Sequence, residues 1–283
     1  MQWIPTFSLF LFLYPLGWLI SHFSFLINKE ISSNTLSIIG TIITFFLFIL
    51  ILPIWAQIRW KNNHLWLDFG FNDKHKYRIF KLFFNGFLSA FYLLFIFLIF
   101  LFVFGFVNHF GSINLKNILD ATLLIIGIVL AEELIFRGWL MEEMILLFGM
   151  KRGIFFQSLI FSIAHLRFDI GFFSLIPFLI GLFLFGLVLT LRRIKDKGSL
   201  LGCIGLHGGL VAIWHIFESG MVTFSIHTPY YFLGPSKEMQ NPIGSILGII
   251  ILLIVIFFQR RLFSRTGRFL AATVNASFKE EIP

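Results

Sequence analysis

The sequence is poor in cysteine and in charge. Cys203 is the single cysteine among 283 residues, so the chain can form neither an internal disulfide nor a cysteine-rich metal site. Only 13% of the residues are charged, whereas 58% are hydrophobic and 41 are Phe. A water-soluble chain of this length could not bury so much apolar surface. The composition therefore predicts an integral membrane protein.

Positive charge exceeds negative charge, with a formal net charge of +8. The basic residues crowd into a few loops between apolar runs, which is the pattern that sets membrane topology rather than a nucleic-acid-binding surface. We therefore expect membrane lipids around the protein and no nucleic-acid partner. The first apolar run lacks a basic leader and an A-x-A-like cleavage site, so we interpret it as a retained span.

Eight apolar runs are candidate membrane spans, and most approach the ~20 residues that a helix needs to cross. We expect an all-α fold, a polytopic membrane helix bundle of about eight transmembrane helices in one integral membrane domain (1–283). Within it we expect N-terminal spans at 5–58, a catalytic core at about 118–221 and a basic tail at 264–283. The eight runs are approximately 5–27, 36–58, 79–107, 118–149, 153–168, 172–191, 199–221 and 243–263.

Loop charge predicts the orientation of these spans. When successive loops are placed on alternate sides, most Lys and Arg residues fall on the side of the two termini. Cytoplasmic loops carry the excess of positive charge, so both termini are predicted to be cytoplasmic. A prokaryotic-type inner or plasma membrane is the expected location.

The stretch A-E-E-L-I-F-R-G puts three charges in the middle of the fourth run, where each costs roughly 3 kcal/mol on insertion scales. Glu133 and Arg137 are four residues apart, so they share a helix face and can form an ion pair. Glu132 is rotated by about 100° from Glu133 and lacks that partner. We interpret Glu132 as a functional carboxylate, and we expect Glu142 and Glu143, nearer the end of the run, to face water.

Three histidines lie inside later apolar runs. His165 lies in the fifth run, and His207 and His215 lie in the seventh, where closely spaced glycines surround His207. His215 is about 12 Å from His207 along the helix axis, so we expect it to lie at the membrane interface or behind the site. Small residues allow neighbouring helices to approach, so we expect His207 to lie against the helix that carries the glutamates. A lone membrane histidine is more often a hydrogen-bonded strut, whereas a carboxylate with two histidines permits chemistry.

Two chemistries remain open for these three side chains. Glu132 and His165 could activate a water that attacks a peptide carbonyl, while His207 stabilises the oxyanion. Alternatively, Glu132, His165 and His207 could bind a divalent metal such as zinc, whose bound water attacks. The sequence has no compact H-E-x-x-H motif, so spacing alone does not establish a metal.

The pattern E-E-x-x-x-R, then F-x-x-x-H, then a later intramembrane histidine resembles the CPBP family of intramembrane proteases, also called Abi or CAAX-protease-like. The matched positions are Glu132, Glu133, Arg137, Phe161, His165 and His207. The resemblance covers about 118–215. Many members have Asn four residues after the third-motif histidine, where this chain has Val211.

The resemblance implies an eight-helix bundle whose active site opens toward the cytoplasmic half. It also implies hydrolysis of peptide bonds in or near the membrane by a glutamate-dependent or metallo-endopeptidase. The residues that it marks as catalytic are Glu132, Glu133, Arg137, His165 and His207.

The leading functional hypothesis is an intramembrane endopeptidase acting on membrane-anchored or lipidated proteins or on peptides. The alternative is a non-proteolytic membrane scaffold or a peptide-immunity protein of the same fold. A transporter with a proton relay is a third hypothesis, which the absence of inverted repeats disfavours.

Overall fold

The computed structural model describes residues 3–23, 33–71, 75–237 and 239–262. Contacts divide the chain into two compact units, Met1–Leu65 and Trp66–Pro283. In the first unit, helices α1 (Ile4–His22) and α2 (Ser33–Arg59) pack against each other. A Cβ atom on Gly17 of α1 would overlap the Thr44 hydroxyl of α2, so this close approach requires glycine.

The second unit carries the remaining long helices. A short helix α3 (Leu65–Asp68) lies at the sequence boundary between the units, and α4 (Lys76–Val103) follows it. The later helices are α5 (115–148), α6 (Met150–Ile163), α7 (Phe172–Lys195), α8 (Leu201–Ile216), α9 (Tyr230–Leu233) and α10 (Ile246–Gln259). Strands β1 (Val107–Phe110) and β2 (Val222–Phe224) pair antiparallel, and 3-10 turns occur at Phe168–Ile170 and Pro242–Gly244.

Helix α5, which we call the glutamate helix, alternates between α and π geometry. Its consecutive segments are α at Leu115–Leu124, π at Ile125–Val129, α at Leu130–Glu132, π at Glu133–Leu140 and α at Met141–Phe148. π segments are rare and often occur at functional sites. The longer one begins at the second of the two adjacent glutamates.

Among the described residues, five helical stretches are long and apolar enough to cross a membrane: Ile4–His22, Ile39–Arg59, Lys76–Val103, Phe172–Lys195 and Leu201–Met221. The other three predicted spans coincide with the glutamate helix, α6 and α10, which are interrupted by π geometry or shorter. The fold is an all-α polytopic membrane bundle, as expected. The organisation as one domain stays a prediction.

Several predicted boundaries differ from the observed ones. Helix α4 ends at Val103, because β1 begins at Val107, and α6 ends at Ile163. His165 therefore lies in the turn after α6 and not inside a span. The predicted end of the first span (24–27) and the basic tail (264–283) lie outside the described residues.

The glycines of α8 pack mainly against α4. A Cβ atom on Gly205 would overlap the carbonyl of Phe83 in α4, and one on Gly86 of α4 would overlap the backbone of α8. Gly208 instead faces Ile125 of the glutamate helix. His207 lies against the glutamate helix as expected, since its Nδ1 atom is 2.7 Å from Glu133, although Gly202, Gly205 and Gly209 face other elements.

Candidate active site

The ion pair predicted within the glutamate helix is present. Arg137 Nη1 lies 3.0 Å from Glu133 Oε1, and both side chains are fully buried. The two residues are four apart at the start of the longer π segment, so their side chains project to the same side. A buried charge is expensive unless it is paired, and this pair neutralises both groups.

Glu133 has a second partner on another helix. Its Oε1 atom lies 2.7 Å from Nδ1 of His207, whose side chain is 8% exposed. A carboxylate only accepts hydrogen bonds when ionised, so Nδ1 carries the proton and donates it. The sequence pattern associates His207 with Glu132 and does not identify Glu133 as its partner, because spacing along the chain does not indicate which helix faces which.

His165 is oriented by the last turn of α6. Its Nδ1–H donates to the Phe161 carbonyl at 2.7 Å. The carbonyl can only accept, so the neutral ring presents its Nε2 lone pair, which lies 3.5 Å from Glu132 Oε1. The F-x-x-x-H spacing therefore has a physical reason, since it sets the imidazole tautomer that faces Glu132.

Glu132 lies between the two imidazoles. Oε1 faces His165, and Oε2 lies 3.9 Å from Nε2 of His207. The Oε2 atom is buried and makes no hydrogen bond within the described part of the chain. A water about 2.8 Å from each atom of such a pair would have ordinary hydrogen-bond geometry. The three predicted side chains are therefore brought together, and Glu132 retains 22% exposure to solvent or substrate.

The ring of Phe161 covers one face of the Arg137 guanidinium. The guanidinium carbon lies 4.0 Å from the centre of the fully buried ring. Nε and Nη2 of Arg137 make no hydrogen bond to any described residue. A cation over an aromatic face is attracted by the ring quadrupole, so the ring partly replaces the missing acceptors. In the sequence Phe161 is recognisable only as part of the F-x-x-x-H motif, which does not predict this contact.

The glutamates nearer the end of the glutamate helix depart from expectation. Glu142 Oε1 pairs with Nη2 of Arg193 at 2.7 Å, and Glu143 is fully buried. The expectation that both face water is wrong for Glu143, because neighbouring helices cover this end of the bundle.

The types of side chain in the site suit a metal ion, but the distances between them are too long for three of them to bind one ion. Each imidazole has donated Nδ1–H and directs Nε2 toward a carboxylate, an arrangement typical of histidines that bind zinc. Among the described residues, however, no group of three His, Cys, Asp or Glu side chains converges closely enough to hold an ion.

Fold and site define a class, namely a polytopic membrane protein with a buried carboxylate flanked by two oriented imidazoles. Residues 113–213 match the family model described as "Type II CAAX prenyl endopeptidase Rce1-like", which is a model of the CPBP, or CAAX-protease-like, family. This is an intramembrane protease family. Residues 1–64 match a domain of unknown function, DUF8676. No curated protein and no solved structure matches the chain.

Proposed function

We propose that this integral membrane protein is an intramembrane endopeptidase and that Glu132 and His165 activate the attacking water. The observation that carries the proposal is the placement of Glu132, with one carboxylate oxygen 3.5 Å from His165 Nε2 and the other 3.9 Å from His207 Nε2. The family match of residues 113–213 supports hydrolysis of peptide bonds as the reaction.

In the proposed reaction, a water held by Glu132 and His165 Nε2 attacks the carbonyl carbon of the substrate. Glu132 takes a proton from the water as the new C–O bond forms, which gives a tetrahedral intermediate with a negative oxygen. Protonated His207 donates Nε2–H to that oxygen. The C–N bond then breaks, and Glu132 returns the proton to the leaving amine. The first products are a carboxylic acid and a neutral amine, and transfer of the acid proton to the amine gives a carboxylate and an ammonium group.

Glu133 and Arg137 take a supporting role in this proposal. The Glu133 carboxylate accepts Nδ1–H of His207 at 2.7 Å and so fixes the orientation of the ring that faces the oxyanion. Arg137 pairs with Glu133 from the same helix and fixes its position. Val211 has no polar group to offer four residues after His207, so His207 is the side-chain oxyanion donor.

A divalent metal such as zinc is the second candidate mechanism. Glu132, His165 and His207 would hold the ion, which would supply Lewis-acid activation of water. The orientation of both Nε2 atoms favours this candidate. Both candidate mechanisms use the same three side chains, so substitutions cannot tell the mechanisms apart, whereas removal of the metal can.

We propose membrane-anchored or lipidated proteins, or small peptides, as substrates.

We also propose that the protein lies in a prokaryotic-type inner or plasma membrane with both termini on the cytoplasmic side. Contacts between loops support the assignment of these loops to two opposite sides. Leu200 N–H, at the start of the seventh predicted span and next to a loop predicted to be cytoplasmic, donates to the carbonyl of Phe69 in another loop predicted to be cytoplasmic at 2.9 Å. Strands β1 and β2, from two loops predicted on the opposite side, pair with each other.

The test is cleavage of a membrane-tethered reporter peptide by purified protein in proteoliposomes. Glu132→Gln removes the base and keeps the shape, so kcat should fall about 10²–10⁴-fold. Glu218→Gln, an exposed carboxylate beyond the end of α8, is the matched control and should cleave like wild type. If Glu132→Gln and His165→Ala cut as well as wild type, the enzyme hypothesis fails and the scaffold hypothesis stands.

A further inference from the structure

Arg193, near the end of α7, is a buried cation that contacts the glutamate helix from outside the active site. It is 5% exposed. We propose that Arg193 is a positioning residue that holds the end of the longer π segment in register, and through it Glu133 and His207. The catalytic consequence rests on the proposed function, whereas the effect on the helix does not.

The π segment ends where Arg193 binds. The last π hydrogen bond runs from Met141 N–H to the Phe136 carbonyl, five residues back. The next N–H group, that of Glu142, belongs to the α segment, where each N–H group bonds to the carbonyl four residues back instead of five. This change of pattern leaves the carbonyl of Arg137 without an N–H partner in its own helix. That carbonyl accepts a hydrogen bond from Arg193 Nη1. Arg193 thus supplies a hydrogen-bond donor to the backbone carbonyl that loses its N–H partner at this change from π to α geometry.

The other donors of Arg193 hold the same region. Nη2 pairs with Glu142 at 2.7 Å, one turn further along the glutamate helix, and Nε donates to the Gly198 carbonyl at 3.1 Å. The guanidinium carbon lies 5.4 Å from the ring centre of Phe69. That ring fits against Gly138 in the π segment, where a Cβ atom would approach it to 3.0 Å. Arg193 therefore binds the glutamate helix on both sides of the change from π to α geometry, at Arg137 before it and at Glu142 after it.

Register at this point determines where the catalytic side chains project. Rewinding the π segment to α geometry by one residue would rotate the preceding residues by roughly 100° relative to the following ones. Glu133 would then leave His207, to which it is now bonded at 2.7 Å. Misplacement of a catalytic group by about 1 Å can cost 10²-fold in rate. Arg193 acts through Arg137 and touches none of the reacting groups.

Arg192 provides a matched control. It is the adjacent residue on α7, is 7% exposed and also forms an ion pair, with Asp196 at 2.6 Å. Its other hydrogen bonds run to α4, namely to Ser89 and to the carbonyls of Leu82 and Asn85. Loss of Arg192 should therefore perturb the bundle without releasing the π segment.

The experiment compares Arg193→Gln, Arg193→Lys and Arg192→Gln by two readouts, hydrogen–deuterium exchange of the peptide 133–142 and kinetics on the tethered reporter. For Arg193→Gln we expect faster exchange in that peptide and a kcat at least about tenfold lower, with KM within about twofold. Arg193→Lys should fall between Arg193→Gln and wild type, because lysine can pair with Glu142 but lacks the planar fork. Arg192→Gln should leave exchange in this peptide as in wild type.

The proposal is overturned if exchange of 133–142 is unchanged in Arg193→Gln, or if Arg192→Gln accelerates it equally. If Arg193→Gln does not fold, Arg193→Lys decides, and wild-type exchange and kcat in that variant would overturn the proposal. If wild-type protein cleaves nothing, the proposed function fails, whereas the exchange data still decide whether Arg193 holds the helix.

Discussion

Glu133 Oε1 is shared by Arg137 Nη1 at 3.0 Å and by His207 Nδ1 at 2.7 Å. One buried oxygen thus joins an ion pair within the glutamate helix to an imidazole on α8. The consequence is that the position of His207 depends on a carboxylate that takes no part in the proposed proton transfer.

We expect the Glu133–Arg137 pair to be strongly coupled in stability. Glu133→Gln leaves the Arg137 charge without its carboxylate, and Arg137→Met leaves Glu133 with the His207 imidazole but without the guanidinium, so each should cost up to about 3–5 kcal/mol. The double variant leaves neither charge, so it should lose clearly less stability than the sum of the single variants. Thermal unfolding in detergent measures this cycle. Additive losses would show that the two groups do not depend on each other.

Shortening Glu132 should separate catalysis from folding. Glu132→Asp keeps the charge but withdraws the carboxylate from His165 Nε2, now at 3.5 Å, by about one methylene. The side chain is partly exposed, so we expect an unchanged melting temperature and a kcat about 10²-fold lower. Activity close to wild type would contradict the placement of the water between Glu132 and His165.

Gly138 should tolerate no side chain. A Cβ atom there would lie 3.0 Å from the Phe69 ring, so Gly138→Ala should destabilise the protein by about 1–3 kcal/mol. Gly127 lies in the other π segment of the same helix, and beyond its own stretch of helix backbone no described atom lies within 4 Å of its Cβ position. Gly127→Ala is therefore the control and should be neutral or slightly stabilising. Phe69→Leu should partly rescue Gly138→Ala, and failure to do so would point to a backbone cause.

Much of this arrangement could be predicted from local pattern. Apolar runs located the helices, because a membrane span requires about 20 apolar residues whatever it packs against. The four-residue spacing of Glu133 and Arg137 predicted their ion pair, since both ends of that interaction lie on one helix.

Contacts between helices could not be derived in the same way. The bond from His207 to Glu133 depends on how α8 faces the glutamate helix, and many facings are compatible with the same sequence. The π segments also escaped prediction, because a one-residue change in helix register leaves the apolar pattern nearly unaltered. Arg193 lies in a basic cluster that is equally typical of an exposed cytoplasmic loop, and only its burial identifies it as structural.

Metal removal should leave activity intact if Glu132 is the base. We expect protein that has been treated with a chelator and shown by elemental analysis to contain no zinc to cleave the tethered reporter at the wild-type rate. Loss of cleavage that zinc restores would instead favour the metal mechanism. An active zinc metalloprotease treated in parallel is the control, because its inactivation shows that the chelation was effective.

The side-chain ring of Phe161 should contribute to the stability of the protein. Its backbone carbonyl, which accepts the hydrogen bond from His165, is present in any variant, so substitutions at Phe161 test the ring alone. Phe161→Leu would remove the face that lies 4.0 Å from the Arg137 guanidinium carbon while keeping the acceptor for His165 Nδ1–H. Nε and Nη2 of the guanidinium would then have neither the Phe161 ring nor a described acceptor beside them, so we expect a loss of about 1–3 kcal/mol beyond that of Phe178→Leu, which removes a buried ring of α7. Phe161→Trp keeps an aromatic face but overfills the core, so Phe161→Tyr is the better test of recovery. Equal losses in Phe161→Leu and Phe178→Leu would show that the ring serves only to fill space.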